Sequence, residues 1–179
     1  RELEENFDSA LAGHNFEVWY QPKYSPDGKV LMGSEALIRW RDTDGSLISP
    51  GEFIPLFEQN GYIARLDEYV FRTACERQKE WLDAGDELCP VSINLSRASL
   101  YHAGLVDKYI SIIEEYGLDP GCIQIEITES AINGKKKITD ILEEFRSHGI
   151  RILMDDFGTG YSSLSTLNLN CFDTLKLDK

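Results

Sequence analysis

The sequence has 179 residues, of which 42% are hydrophobic, and this suits one globular domain with a substantial core. Its 18 basic and 31 acidic side chains give a net charge of −13, which argues against binding to nucleic acid polymers or to anionic membranes. The four cysteines lack the spacing of a zinc site, and no apolar run reaches the roughly 18 residues of a spanning helix, so we expect a reduced, cytoplasmic protein without direct membrane insertion.

The N-terminal part predicts a helix followed by two antiparallel strands. Apolar residues recur at four-residue spacing over residues 2–12, which predicts an amphipathic lead-in helix or an interdomain linker. Two runs rich in Val, Ile, Tyr and Trp follow at residues 16–25 and 29–40. The turn Pro26-Asp27-Gly28 is short enough to join them as a hairpin, so the pair is antiparallel.

Helices placed between strands fill the rest of the chain. Ser49-Pro50-Gly51-Glu52 predicts a capping box with proline at the first helical position, and this helix closes near Gly61. Later helices are predicted to stop at Gly85, Gly117 and Gly149. The strands predicted between and after these helices are residues 90–95, 123–128, 151–154 and 172–177, and a short helix covers residues 162–169. Such alternation predicts parallel strands joined by helical crossovers.

The alternation of side chains within the strands favours a barrel. Over residues 123–128 the apolar side chains share one face, and Gln124, Glu126 and Thr128 share the other. The strands of an open sheet covered by helices on both faces would be apolar throughout. We therefore predict a (β/α) TIM-type barrel with one antiparallel strand, incomplete at about six of eight strands because a full barrel takes about 250 residues. A sheet with one solvent-exposed face would also explain the alternation.

Acidic and amide residues stand near the ends of the predicted strands. These residues are Glu35, Asn94, Glu126, the pair Asp155-Asp156, and Lys176 with Asp178. The carboxyl ends of barrel strands meet at one mouth, so these groups would form an oxygen-rich cluster. Carboxylate and amide oxygens prefer hard cations such as Mg²⁺ or Mn²⁺, and a cation would offset their mutual repulsion. The three histidines lie outside the strand ends.

The adjacent pair Asp155-Asp156 indicates that its strand ends or bends there, because neighbouring residues of a regular strand point to opposite faces. Gly158 and Gly160 follow, so a tight loop could let Asp155 bridge two ions while Asp156 holds one. Without the other motifs, Asp156 could equally be a turn residue before a glycine loop.

An ordered series of motifs resembles the EAL phosphodiesterase family, whose reaction is hydrolysis of cyclic di-GMP. Glu35-Ala36-Leu37 is the naming tripeptide, and Arg39 follows the glutamate by four residues, as in that family. The other matching motifs are YQPK at 20–23, FIPL at 53–56, INLS at 93–96, EITES at 126–130, DDFGTGYSSL at 155–164 and LKLD at 175–178. The chain is therefore identified as one EAL domain over residues 1–179 that is truncated at its C-terminus.

The resemblance implies a two-ion site. Residues matching Glu35, Asn94, Glu126 and Asp155 bind one divalent ion, and those matching Asp155 and Asp156 contribute to a second. The lysine that matches Lys176 touches the nucleophilic water, and we expect its ammonium to point into the carboxylate cluster and stay charged.

Four further residues match positions around that site. Gln21 and Arg39 match substrate contacts, although a rim ion pair would also explain them. Glu129 matches a residue that supports catalysis by holding the glycine loop after Asp156, and its alternative is a carboxylate at a helix start. Asp178 could contact substrate and orient Lys176, or be a rim charge.

The resemblance also implies the function and the partners. The main expectation is a metal-dependent phosphodiesterase that converts cyclic di-GMP to the linear dinucleotide pGpG. The alternatives are a receptor that binds cyclic di-GMP without cleaving it and a regulatory or dimerisation module. A homodimer through the loop after Asp156 and the helix at 162–169 is expected, as is a sensor or GGDEF domain in a longer parent chain. Because two strands are missing, we expect the isolated fragment to be inactive.

Overall fold

The structure is a computed structural model that describes residues 2–132, 136–157 and 171–177. The predicted glycine loop, the predicted helix at 162–169, the expected dimer contact and Asp178 lie outside these residues. The helices are α1 (Glu2–Ala12), α2 (Pro50–Asn60), α3 (Ile63–Ala84), α4 (Arg97–Leu100), α5 (Leu105–Glu115), α6 (Glu129–Ile132) and α7 (Lys136–Ser147). The strands are β1 (Phe16–Tyr24), β2 (Leu31–Arg41), β3 (Leu47–Ile48), β4 (Val91–Asn94), β5 (Ile123–Thr128), β6 (Arg151–Phe157) and β7 (Thr174–Leu177).

The strands form one sheet in the order β1-β2-β4-β5-β6-β7, with β3 paired to β2. β1 and β2 form the predicted antiparallel hairpin, and the short β3 is also antiparallel to β2. The pairs β2-β4, β4-β5, β5-β6 and β6-β7 are parallel. The predicted fold is confirmed as an α/β architecture with helical crossovers, an incomplete (β/α) barrel. Within the described part of the chain, β1 and β7 are its two edges. The two-residue strand β3 was not predicted.

The long helix α3 shows how the sequence sets the element boundaries. Its apolar stripe includes Leu66, Val70 and Phe71, all of which are buried. Gly85 follows the helix with φ of 83°, and its amide donates to the carbonyl of Leu82. This left-handed cap is the predicted one, because glycine adopts positive φ without the penalty that a Cβ atom brings.

The start of α2 corrects one prediction. Ser49 is the N-cap and Pro50 follows it, as expected, but the Ser49 hydroxyl makes no capping hydrogen bond. The amide of Glu52 donates instead to the backbone carbonyl of Ser49, with 2.9 Å between nitrogen and oxygen. The predicted capping box is therefore wrong in this hydrogen bond. The Glu52 amide, which was expected to donate to the Ser49 hydroxyl, already donates to the Ser49 carbonyl.

Two apolar clusters hold the elements in place. The larger one lies between the outer face of the sheet and helices α3, α5 and α7. The smaller one is aromatic and joins α1 to the hairpin and α2, with Phe7 and Phe57 ring centroids 4.9 Å apart. α1 therefore packs on the domain through Phe7, which is fully buried. No helix in the described ranges is long and apolar enough to cross a membrane.

Candidate active site

The strand register brings the predicted metal ligands together. Glu35 on β2 is paired with Ser92 on β4, and two residues further along β4 Asn94 is paired with Glu126 on β5. Asp155 on β6 is in register with the residue two positions beyond Glu126. Asn94 is the last residue of β4 and Asp155 lies near the end of β6, whereas Glu126 is central in β5 and Glu35 lies in the first half of the longer β2. The parallel register nevertheless places these four positions on neighbouring strands close to one another.

Hydrogen bonds and ion pairs join these side chains into one cluster. The Asn94 amide nitrogen Nδ2 donates to Glu35 Oε1 at 3.0 Å. Lys176 Nζ donates to Glu35 Oε2 at 3.1 Å and to Glu126 Oε1, and it lies 3.5 Å from Asp155 Oδ1. The structure thus brings Glu35, Asn94, Glu126 and Asp155 together around one ammonium group.

For both Glu126 and Lys176, burial and the neighbouring opposite charge shift the pKa in opposite directions. Glu126 is fully buried, and burial raises the pKa of its carboxyl, opposed by the hydrogen bond from Lys176. Partial burial alone would lower the pKa of Lys176, but its hydrogen bonds and charge interactions with Glu126 and Glu35 raise it instead. Lys176 therefore stays protonated and points into the carboxylates, as expected.

A second lysine lies beneath the cluster and was not predicted as a site residue. Lys23 Nζ on β1 donates to Ser92 Oγ at 2.7 Å and lies 3.8 Å from Glu126 Oε2. Strand periodicity could have predicted Lys23 as a site residue, because it is two residues beyond Gln21 and therefore shares the same face of β1. Ser92, on β4, is fully buried.

The donor set fits a hard divalent cation in its chemistry, since it consists of carboxylate and amide oxygens. Glu126 Oε2 is buried and has no hydrogen-bond partner among the described residues, so it has capacity for a further positive partner. Among the residues described, no three His, Cys, Asp or Glu side chains are arranged to hold a metal ion as they stand. Ion binding therefore requires the carboxylates of Glu35, Glu126 and Asp155 to exchange Lys176 for the ion.

The strand carrying Asp155 and Asp156 bends as its sequence indicated. The pairing of β6 with β7 shifts register between Met154 and Phe157. Asp156 has φ of 54°, in the left-handed region that Asp tolerates better than most residues, and it is exposed. The two aspartates therefore do not follow regular strand alternation, although a shared second ion stays a prediction.

The remaining predicted residues surround the cluster at different depths. Gln21 is exposed on β1, directly opposite Glu35 in the hairpin register. The Arg39 guanidinium lies 5.5 Å from the centre of the Trp19 ring, and its Nη1 donates to a backbone carbonyl. Glu129 is buried as the first residue of α6. Their roles, like that of Asp178 outside the described residues, stay predictions.

A cleft of about 830 Å³ opens beside the cluster. Arg39, Asn94, Glu126 and Thr128 line it together with residues of α2, α3 and α4. Arg39 therefore borders the same space as Asn94 and Glu126 of the cluster, and this space could hold a ligand of nucleotide size.

Asp67 is a buried carboxylate in the wall of this cleft that sequence reasoning missed. Its Oδ2 accepts from the Ser96 amide at 2.9 Å and from the Ser99 hydroxyl at 2.6 Å. Burial raises the pKa of Asp67 to about 6. Its position within the apolar stripe of α3 could have indicated a buried carboxylate. Its contacts with Ser96 and Ser99 fix the turn that follows Asn94.

Comparison with known proteins gives consistent matches. The chain matches the EAL domain family over residues 4–179. It is 38% identical over 171 residues to MucR of Pseudomonas aeruginosa, named a bifunctional diguanylate cyclase/cyclic di-GMP phosphodiesterase. It is also 38% identical over 180 residues to the cyclic di-GMP phosphodiesterase NbdA of the same organism. The match covers 95% of the chain but 25% of MucR, and 99% of the chain but 23% of NbdA, so the chain spans about a quarter of these relatives.

Solved structures agree with these matches. A structure of the MucR phosphodiesterase in complex with c-di-GMP aligns with a TM-score of 0.90 and 36% identity, over 99% of this chain and 72% of that one. The EAL enzyme Bd1971 in a cGMP-bound form aligns with a TM-score of 0.88 and 29% identity, over 99% of this chain and 50% of that one.

Proposed function

Because this chain belongs to the EAL domain family, we propose that its protein is a metal-dependent phosphodiesterase that hydrolyses cyclic di-GMP to the linear dinucleotide pGpG. The observation that carries the proposal is the convergence of Glu35, Asn94, Glu126 and Asp155 on Lys176 beside a cleft. Relatives named as cyclic di-GMP phosphodiesterases support the choice of substrate.

Four residues would hold one divalent ion in this proposal, namely Glu35, Asn94, Glu126 and Asp155. Asp155 and Asp156 would contribute to a second. Two Mg²⁺ or Mn²⁺ ions, when bound, supply a hydroxide at neutral pH and stabilise the negative charge that develops on the phosphate. Asn94 must turn its amide oxygen to the ion, since its nitrogen now donates to Glu35.

The other side chains would bind and orient the substrate and the attacking water. Without a bound ion, the hydrogen bonds and charges of Glu126 and Glu35 raise the pKa of Lys176, and its ammonium would donate a hydrogen bond to water or phosphate. Arg39 is suited to the phosphate because its planar guanidinium can donate two parallel hydrogen bonds. It also provides local positive charge that an anionic substrate needs on a protein with net charge −13.

Product analysis tests the proposal. The full-length protein that contains this domain is purified and incubated with cyclic di-GMP and Mn²⁺, and the products are separated by chromatography. We expect pGpG from the protein and from the control Glu80→Gln, whose carboxylate pairs with Arg77 on the surface of α3, and none from Glu35→Gln.

Two results would contradict this function. Turnover retained in Glu35→Gln would remove Glu35 from catalysis. Binding of cyclic di-GMP by the unsubstituted protein without pGpG formation would make it a receptor. A cytoplasmic location and a sensor or GGDEF domain in the same protein stay predictions that product analysis does not test.

A further inference from the structure

We propose that Lys23 is a positioning residue for Glu126, whose carboxylate it orients so that one defined oxygen is presented to a divalent cation. This inference rests on the proposed function, because it assigns a role within the same site. Glu126 is the one fully buried carboxylate of the described cluster, so its orientation depends on neighbouring side chains and not on water.

Lys23 reaches Glu126 across two intervening strands. It is paired with Gly33 on β2, so β2 offers no side chain at that register to obstruct it. Its ammonium is tied to Ser92 Oγ on β4 at 2.7 Å and lies 3.8 Å from Glu126 Oε2 on β5. Ser92 is fully buried, so it provides a fixed support for the lysine.

The two oxygens of Glu126 have different partners. Oε1 accepts a hydrogen bond from Lys176, whereas Oε2 faces Lys23 at ion-pair distance and has no hydrogen-bond donor in the part of the chain that the structure describes. Removal of Lys23 would take away the ion pair of a buried carboxylate oxygen, which is disfavoured even though Lys176 still pairs with the other oxygen of Glu126. Lys23 therefore holds Oε2 on its own side and leaves Oε1 directed toward Glu35 and Asp155.

Lys176 and Lys23 therefore have different roles at Glu126. A cation that binds Glu35, Glu126 and Asp155 competes with Lys176 for the same oxygens. Lys23 is held by Ser92 on the opposite side of Glu126 and keeps its position during this exchange. It also keeps part of the negative charge of Glu126 neutralised while Lys176 moves.

The test is titration of the protein with Mn²⁺ alone, following free Mn²⁺ by electron paramagnetic resonance. Lys23→Met keeps the length of the side chain and removes the charge, and Lys23→Arg keeps the charge. Lys29→Met is the matched control from the same hairpin, since Lys29 is 79% exposed and pairs with Asp27. Thermal unfolding in EDTA measures the fold of each variant without metal.

We expect Lys23→Met to weaken Mn²⁺ binding by about tenfold or more. Lys23→Arg should restore most of the affinity, and Lys29→Met should match the unsubstituted protein. Unchanged or tighter binding by Lys23→Met would overturn the inference. So would a metal-free melting temperature that falls in Lys23→Met and Lys23→Arg alike, because that result would assign Lys23 to folding only.

The outcome is separable from that of the proposed function. If the unsubstituted protein forms no pGpG and Lys23→Met still loses Mn²⁺ affinity with rescue by Lys23→Arg, the positioning role stands and the catalytic proposal fails. If pGpG forms at equal rates and Mn²⁺ binds equally in Lys23→Met, the catalytic proposal stands and the positioning role fails.

Discussion

Asp67→Asn is expected to stabilise the protein at neutral pH, although it changes a buried hydrogen-bonded residue. Oδ2 of Asp67 accepts hydrogen bonds from the Ser96 amide and the Ser99 hydroxyl, and the oxygen of an Asn side chain can accept both. The substitution therefore keeps the clamp on the turn and removes the buried charge.

The magnitude follows from the raised pKa. Burial moves the pKa of Asp67 from its ordinary 3.8 to about 6, so the folded state binds the proton more tightly than the unfolded state. Stability from this group is present below the unfolded value and is lost as pH rises through the folded value. The full effect is about 3 kcal/mol, and roughly half of it falls between pH 5 and pH 8.

Urea unfolding followed by tryptophan fluorescence at several pH values between 5 and 8 measures this effect. We expect the unsubstituted protein to lose about 1.5 kcal/mol relative to Asp67→Asn across that range. Asp83→Asn, on the exposed face of the same helix, is the control and should change little. Parallel pH dependence in the protein and Asp67→Asn would refute the reasoning.

Two further substitutions test the framework of the site. Lys176→Met should lower turnover by about a hundredfold or more. In EDTA, where no metal is bound, Lys176→Met should also lower the urea midpoint at pH 7 more than at pH 5, because the clustered carboxylates lose the ammonium group that they share. Equal midpoints together with unchanged turnover would contradict this. Gly33→Ala should lower the free energy of unfolding by about 2–4 kcal/mol, since its Cβ would lie 2.5 Å from the Pro90 carbonyl oxygen. Gly51→Ala, whose Cβ meets only Ser49 Oγ at 3.6 Å, is the control and should be near neutral, and similar urea curves for both variants would exclude the clash.

Local features of the sequence were enough to predict the strands and their polar faces. Alternation depends only on neighbouring residues, so Glu126 could be assigned to the polar face of its strand before its partners were known. The bend at Asp155-Asp156 could be predicted in the same way, because two adjacent acidic residues break the alternation of apolar and polar side chains. Glycines at helix ends also act locally, which explains why the end of α3 at Gly85 was predicted correctly.

Contacts between distant elements could not be read in the same way. The bond from Lys23 to Ser92 depends on the register of three strands and joins residues 69 positions apart. Asp67 stood out only as an acidic residue in an apolar stripe, and its serine partners lie beyond the end of its helix. The hydroxyl of Ser49 failed as a cap for a local reason, the competition from its own carbonyl, which sequence does not reveal.

The bond between Lys176 and Glu35 joins residues 141 positions apart, which gives the order of synthesis a consequence. At about 5–20 residues per second, the ribosome adds Lys176 roughly 7–30 seconds after Glu35. Glu126 and Asp155 also emerge before Lys176, so a nascent sheet carries three carboxylates at its mouth with Lys23 beneath them. β7 then arrives with the opposite charge, and electrostatic attraction as well as backbone pairing draws it into its place beside β6.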